Sequence, residues 1–191
     1  MSRARPPRLW QEPKPRDALG VGALADALLA LLDGGDVVLV ANSFGCQVAL
    51  EAALRDPQRV RALVLVGPTY DRSASLLQSA ARLALDAVRE PPALLPRIAL
   101  DYLRMGPRRL LQTAVLMERD RIDEKLPRVD RPTLVVRGER DALVSQAWVE
   151  HVAALLPRGR LAVVGGSAHA VHWSHAYELR RLVLDFLEEA E

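Results

Sequence analysis

Short apolar runs and stretches of helical spacing alternate along this chain. Each apolar run is four or five residues long and is bounded by turn residues, which is typical of strands buried on both faces of a parallel sheet. The runs occupy residues 37–40, 62–66, 133–136 and 161–164. Apolar residues recur at helical spacing in residues 24–32, 44–55, 146–156 and 175–189. The alternation predicts an α/β fold, with a parallel sheet of about four strands flanked by helices.

Residues 73–127 break this alternation. Their periodicity is helical throughout, and it is interrupted at Pro91-Pro92, Pro96 and Gly106-Pro107. The segment predicts three or four short helices and no strand, inserted between the second and third strands. Residues 1–16 combine arginines with prolines, so they predict a disordered Arg/Pro-rich leader before a single domain of residues 17–191.

Composition narrows the class of protein further. Half of the 191 residues are apolar, and the single cysteine excludes an intrachain disulfide, so a reducing, cytoplasmic location is predicted. The 26 basic and 24 acidic residues leave a net charge of +2, and aromatic residues are few, which argues against a nucleic-acid partner. No apolar stretch reaches the roughly 18 residues of a membrane span, so no membrane association is predicted.

The sequence Ala41-Asn42-Ser43-Phe44-Gly45 lies between the first predicted strand and the helix after it. A sharp strand-to-helix turn holds a serine out toward substrate, and it leaves room only for small residues two positions before and after the serine. Ala41 and Gly45 meet that requirement. Ser43 is therefore a candidate nucleophile, and the Phe44 backbone N–H is a candidate oxyanion donor. The alternative is that Ser43 only caps the helix, a position where serine is common.

A general base has to come from one of four histidines, His151, His169, His172 and His175. His169 follows the fourth predicted strand through the loop of residues 165–168, at the strand end where parallel sheets collect their ligand chemistry. His169 is therefore the candidate base, whereas His151 lies within a helical pattern. The spacing of the last three histidines invites a metal site, but no cysteine cluster or nearby carboxylate completes one. No metal and no cofactor are predicted.

The acid that orients the histidine has candidates at the same edge of the sheet. Asp141 lies just beyond the third predicted strand, from which its side chain can reach a histidine on the neighbouring strand's loop. Asp71, just beyond the second strand, is the rival acid, and Glu139 is closer to the third strand but less well placed. The plain alternative is that Asp141 belongs to a polar turn before a helix.

Four stretches of the chain resemble the α/β-hydrolase fold family. They are residues 40–46 (VANSFGC), 61–68 (RALVLVGP), 137–141 (RGERD) and 165–169 (GGSAH). The family's triad runs in the order serine, acid, histidine, and Ser43, Asp141 and His169 follow that order. The resemblance implies that Ser43 is the nucleophile, that His169 is the base and later the acid, and that Asp141 orients the histidine. It also implies that residues 73–127 form a helical cap over the serine, and that the substrate is a small carboxylic ester or a ketone-type carbonyl compound.

The resemblance also sets an expectation about length. The family places four strands before the strand that leads to the nucleophile, and only 36 residues precede Val37. The resemblance therefore implies a partial hydrolase fold that lacks the first strands, through truncation or a misassigned gene start. It also implies the loss of a His-Gly type loop that supplies the second oxyanion donor. Losing one such donor costs about 10²- to 10³-fold in rate, so weak hydrolysis is expected.

Two other functions stay open at this point. An exposed edge on the first predicted strand invites pairing with another chain, including a homodimer. The chain would then be a catalytically inactive hydrolase-fold remnant that acts as an interaction module. The other alternative is an acyltransferase on the same fold, which would form product with an added alcohol or thiol acceptor.

Overall fold

The computed structural model describes residues 17–32, 34–69 and 76–190, and in them the four predicted strands form one parallel sheet. The strands are β1 (Val37–Asn42), β2 (Val60–Val66), β3 (Thr133–Gly138) and β4 (Gly159–Val164). They lie in the order β1-β2-β3-β4, so each strand pairs with its neighbours along the chain. The predicted α/β fold is confirmed. The predicted leader and the rival acid Asp71 lie outside the described residues.

Helices cover both faces of this sheet. In the described residues they are α1 (Val21–Leu31), α2 (Phe44–Arg55), α3 (Leu76–Arg89), α4 (Leu95–Arg119), α5 (Ile122–Lys125), a 3₁₀ turn (Leu126–Arg128), α6 (Gln146–Leu155), α7 (Val171–Ser174) and α8 (Ala176–Glu189). The four helices predicted from apolar spacing correspond to α1, α2, α6 and α8. Within the described residues, no helix combines the length and the apolar character needed to cross a bilayer.

The sheet packs between two apolar cores, because successive side chains of a strand point to opposite faces. Along β2, Leu63 and Leu65 pack with α1, α2 and α6 on one face. Ala62, Val64 and Val66 pack with α7 and α8 on the other face. All five side chains are buried, which explains why this strand is apolar at every one of these positions.

β1 forms an edge of the described sheet, as the resemblance implies, and it is therefore less buried than its apolar run predicts. Among the described residues it pairs with β2 alone, with Val38 opposite Ala62 and Asn42 opposite Val66. Val40 is 55% exposed although its run is entirely apolar. An apolar run therefore predicts the strand correctly but does not reveal whether the strand has a neighbour on each side.

The segment between β2 and β3, here named the helical insertion, contains α3, α4, α5 and the 3₁₀ turn. Gly106 has φ 77° and ψ 157°, outside the helical region, and it kinks α4 just before Pro107. Pro96 lies in the first turn of α4, where the missing N–H of proline breaks no hydrogen bond. Pro96 therefore begins a helix instead of interrupting one. From residue 76 onward the insertion is helical and contains no strand, in agreement with its sequence pattern.

The carboxyl ends of the four strands meet at one edge of the sheet. Asn42 pairs with Val66, Val66 pairs with Val136, and Gly138 pairs with Val164. The loops that follow these strands therefore lie side by side. Three of those loops contain the residues predicted to carry the chemistry.

Candidate active site

Ser43 occupies a sharp turn between β1 and α2. Its backbone has φ 54° and ψ −126°. A non-glycine residue adopts such a positive φ only at a cost of about 1–3 kcal/mol, which the surrounding structure has to offset. The Ser43 N–H donates to the Val66 carbonyl at 2.9 Å, and this bond ties the turn to the end of β2. The backbone thus has the strain expected of a serine held out at a strand-to-helix turn.

The Ser43 side chain does not cap α2. Ser43 stands at the N-cap position, but its side chain makes no capping hydrogen bond. By contrast, Ser145 caps α6 through its Oγ, which accepts the Trp148 N–H at 3.2 Å. The alternative role of Ser43 as a helix cap therefore has no hydrogen bond to support it. Phe44 begins α2, so its N–H has no partner within the helix.

His169 and Asp141 are hydrogen-bonded to each other. His169 Nδ1 lies 2.8 Å from Asp141 Oδ2, and both side chains are buried. The other carboxylate oxygen, Oδ1, accepts the backbone N–H groups of Leu143 at 2.8 Å and Val144 at 2.9 Å. The carboxylate offers the histidine only an acceptor, so His169 Nδ1 carries the proton and Nε2 is left as the basic nitrogen.

The surroundings of His169 act on its pKa in opposite directions. Burial lowers the pKa, because a charged imidazolium is poorly solvated there. The hydrogen bond and charge of Asp141, with the charges of Asp86 and Glu90, outweigh burial and raise the pKa above its ordinary value. Burial and the charge of His169 lower the pKa of the neighbouring His172. The site thus stabilises protonated His169, the form that a general base reaches during turnover.

Ser43 is linked to the His169–Asp141 pair through its neighbour in the chain. The Asn42 side chain donates from Nδ2 to the Val66 carbonyl at 3.1 Å and to the His169 carbonyl at 3.4 Å. His169 Nε2 is buried without a hydrogen-bond partner among the described residues, so Ser43 Oγ is not bonded to it. In the structure, Asp141 and His169 are in contact, and Ser43 lies at the same edge of the sheet, where the carboxyl ends of the strands meet. Catalytic hydrogen bonds are often long before substrate binds.

Gly67 provides the space in which the His169 ring lies. It follows β2 with φ +53°, and a Cβ on it would come 2.7 Å from His169 Cε1 and 2.8 Å from Nδ1. The same Cβ would lie 3.3 Å from Asp141 Oδ2. A side chain at position 67 would therefore push the ring away from its acid, and glycine is required. The sequence pattern identifies Gly67 only as the end of a strand.

Two side chains fix the acid loop, residues 139–145, and tie it to the histidine loop, residues 165–170. The Arg137 guanidinium donates three hydrogen bonds of 2.8–3.1 Å to carbonyls of the acid loop, those of Glu139, Asp141 and Val144. Glu139 Oε2 accepts the Gly166 N–H at 2.7 Å. Arg137 and Glu139 therefore support the geometry of the site. Both lie in the motif of residues 137–141, but nothing in the sequence pattern indicates these bonds.

Two of the other histidines have surroundings of their own. His151 is exposed on α6, and His175 Nδ1 is hydrogen-bonded to the Ser174 hydroxyl at 2.9 Å. In the part of the chain that the structure describes, no three His, Cys, Asp or Glu side chains are grouped to hold a metal ion. Cys46 is buried next to the Ser43 turn, and burial raises the pKa of its thiol, so it stays a neutral thiol.

Comparison with known proteins decides the family. The model of the Alpha/beta hydrolase family matches residues 4–182 of the chain. The chain belongs to this family. Over 90% of its length the hydrolase is 32% identical to polyketide synthase ThaQ of Burkholderia thailandensis. Over 88% of its length it is 29% identical to the pimeloyl-(acyl-carrier protein) methyl ester esterase of Neisseria meningitidis.

Solved structures agree with the family assignment. A thermophilic esterase from Thermogutta terrifontis matches the hydrolase with a TM-score of 0.74 at 20% identity, over 94% of this chain and 76% of the esterase. At that identity the likeness shows the shared fold alone. The hydrolase spans 10% of the length of the polyketide synthase and 75% of the length of the Neisseria esterase.

Proposed function

We propose that this hydrolase cleaves carboxylic esters or related carbonyl compounds with Ser43, His169 and Asp141 as its triad. The observation that carries the proposal is the buried His169–Asp141 hydrogen bond at the strand edge where Ser43 occupies a strained turn. An imidazole oriented by a carboxylate activates a serine alcohol placed beside it. A purely structural histidine would not need a buried Nε2 that lacks a partner among the described residues.

In the proposed reaction, His169 Nε2 takes the hydroxyl proton of Ser43 while Oγ forms a bond to the substrate carbonyl carbon. Asp141 stabilises the imidazolium, and the Phe44 N–H, at the positive end of α2, donates to the oxyanion. His169 then gives its proton to the leaving alcohol as the ester carbon–oxygen bond breaks, which leaves an acyl-serine. Water, deprotonated by His169, then attacks the acyl carbon. The bond between that carbon and Ser43 Oγ breaks, His169 returns its proton to Oγ, and the carboxylic acid leaves.

The proposed substrate class is supported by a relative and by the helical insertion. The Neisseria relative is by name a methyl ester esterase. The insertion adjoins the site, because the Arg89 guanidinium at the end of α3 donates to the Arg140 carbonyl at 2.9 Å. It also carries exposed apolar side chains, among them Leu83, Leu103 and Leu111. The insertion is therefore the proposed cap over the serine, and an ester with an apolar acyl group is the proposed substrate.

A fluorophosphonate probe tests this proposal, because it modifies a serine only where the hydroxyl is activated. We expect the folded protein to take up a single probe, and peptide mapping to locate it on Ser43. Heat-unfolded protein is the control and is expected to stay unlabelled, since the His169–Asp141 hydrogen bond is then lost. Ser145, whose Oγ caps α6, is an internal comparison and is expected to stay unmodified. A folded protein that takes up no probe would contradict the proposal.

We also propose that two copies of the hydrolase pair through β1. In the described part of the sheet β1 has one paired edge. Beside it lies a mostly apolar groove, lined by Val40, Leu179 and Val183 and also by His172 and Arg180. An uncovered apolar edge strand is a template for pairing with another strand. Two identical edges pair antiparallel about a two-fold axis. The six residues of β1 place Val40 near that axis, where the two copies of the side chain would meet.

Substitutions at the centre of this edge test the pairing by light scattering. Val40→Lys is expected to be monomeric, because it brings two like charges together across the axis. An equal mixture of Val40→Lys and Val40→Glu is expected to recover the dimer. Val163→Lys is the matched control on β4 at the opposite edge, where Val163 is 43% exposed, and it is expected to dimerise like the native protein. A monomeric native protein would rule out the pairing.

A further inference from the structure

Two buried carboxylates outside the triad contact both loops of the candidate site. Asp86 lies in the last turn of α3 and Glu90 directly follows its end, and they are only 4% and 5% exposed. Asp86 Oδ1 accepts the Ala142 N–H at 3.1 Å, and Glu90 Oε1 accepts the Ala170 N–H at 2.6 Å. These N–H groups belong to the residues directly after the acid and the histidine.

The spacing of Asp86 and Glu90 explains how one helix end reaches both loops. Side chains four residues apart lie on the same face of a helix, about 5–6 Å from each other. The Glu90 N–H donates to the Asp86 carbonyl at 3.0 Å, so the helical path continues through Glu90. The bond from Arg89 to the Arg140 carbonyl adds a second contact with the acid loop. One rigid element of the insertion thus fastens the acid loop and the histidine loop together.

The two carboxylates are held in a place that disfavours their charge. Burial raises the pKa of both Asp86 and Glu90, and Glu90 Oε2 has no hydrogen-bond partner among the described residues. Asparagine and glutamine would accept the same N–H groups without a buried charge. The two negative charges nevertheless favour the protonated form of one group, His169. Burial lowers the pKa of His169, and Asp141 has the largest effect in the opposite direction. The charges of Asp86 and Glu90 add to the effect of Asp141 and help to raise this pKa.

We propose that Asp86 and Glu90 are positioning residues of the triad: they fasten the loops of Asp141 and His169 to the helical insertion, and their negative charge supports the imidazolium. The inference rests on the proposed function, but the effect on His169 exists whether or not an ester is turned over. Among the described residues, the titratable groups that face His169 are Asp141 from the acid loop, Asp86 and Glu90 from the insertion, and His172 from α7.

Two double variants separate position from charge. Asp86→Ala/Glu90→Ala removes the acceptors and the charges, whereas Asp86→Asn/Glu90→Gln keeps the acceptor oxygens and removes the charges alone. An NMR titration of His169, one of four histidines, needs no substrate. We expect His169 to titrate at lower pH in both variants than in the native protein, because less negative charge then opposes burial. Glu118→Gln, which removes an exposed carboxylate of α4, is the control and is expected to leave the titration unchanged.

Ester hydrolysis supplies the second readout. The alanine variant is expected to lose about 10- to 100-fold in kcat with little change in KM, because the reacting groups are no longer held in place. The amide variant is expected to recover most of kcat at alkaline pH. The native rate is expected to fall as the pH drops through the raised pKa of His169, because the protonated imidazole cannot act as a base. In the amide variant this pKa is lower, so the fall in rate is expected at lower pH.

The results of the His169 titration test the roles of Asp86 and Glu90 separately from the proposed hydrolase activity. A lowered His169 titration in the amide variant supports the inference even where no ester is turned over, and it does so where the alanine variant fails to fold. A native titration in the amide variant overturns the inference, whatever the activity. A folded native protein that takes up no fluorophosphonate, by contrast, counts against the proposed function alone.

Discussion

An Asp141→Asn variant is expected to react with ester or fluorophosphonate about 10³- to 10⁴-fold more slowly than the native protein. The asparagine Oδ1 still accepts the N–H groups of Leu143 and Val144, so the acid loop keeps both hydrogen bonds. The asparagine amide then faces His169 Nδ1, which has to accept a hydrogen bond instead of donating one. The imidazole proton moves to Nε2, and Nε2 can no longer take the proton of Ser43.

The rate at which fluorophosphonate labels the protein in a single turnover measures this loss of reactivity, and it needs no ester substrate. Asp185→Asn, which neutralises an exposed carboxylate on α8, is the matched control and is expected to label at the native rate. Thermal unfolding of the two variants checks that the fold is kept. A native labelling rate in Asp141→Asn would show that another acid orients His169, and Asp71→Asn would then be the variant that loses the activity.

Gly67→Ala is expected to lower the labelling rate by at least about 10²-fold, because displacing a reacting group by about 1 Å is enough for such a loss. The new methyl group would have to lie 2.7 Å from His169 Cε1 and 2.8 Å from Nδ1. The ring must move, and its hydrogen bond to Asp141 Oδ2 is lost. The NMR resonance of the Nδ1 proton provides a direct check, since we expect it to disappear into exchange with water.

Gly34→Ala separates this collision from backbone strain. Gly34 also has a positive φ, +89°, but a Cβ on it meets no described atom within 4 Å. Both alanine variants are expected to lose about 1–2 kcal/mol of stability from the left-handed conformation. Only Gly67→Ala is expected to lose labelling as well. Similar labelling rates in the two variants would show that the His169 ring accommodates a methyl group at position 67 without losing its position.

The sheet, and the position of two candidate site residues at its edge, follow from the sequence for identifiable reasons. Strands covered on both faces need no polar positions, so apolar runs bounded by glycine and proline mark them. Asp141 and His169 each come soon after such a run, and parallel strands bring those ends to one edge. The apolar pattern alone does not reveal the exposure of Val40, because that exposure depends on whether a further strand lies beside β1; the exposed edge is expected only from the family resemblance.

The supporting residues of the site depend on tertiary contacts that no local pattern contains. Gly67 matters because the His169 ring approaches it from a loop much later in the chain. Acidic residues four apart, such as Asp86 and Glu90, usually indicate a solvated helix face. They are buried here because the end of α3 lies against two loops that the sequence separates widely from it. Arg137 is similar, since its partners are backbone carbonyls.

The strand order has a consequence for how the protein is made. Each strand pairs with the strand synthesised just before it, so the sheet can grow in the order of translation. The turn at Ser43 forms its hydrogen bond to Val66 once β2 has joined β1. His169 follows β4, so it leaves the ribosome after Ser43 and Asp141. In the proposed triad, the nucleophile Ser43 is thus synthesised well before its base His169. On that proposal, the serine alcohol is activated only once β4 has completed the described sheet and brought His169 to the strand edge.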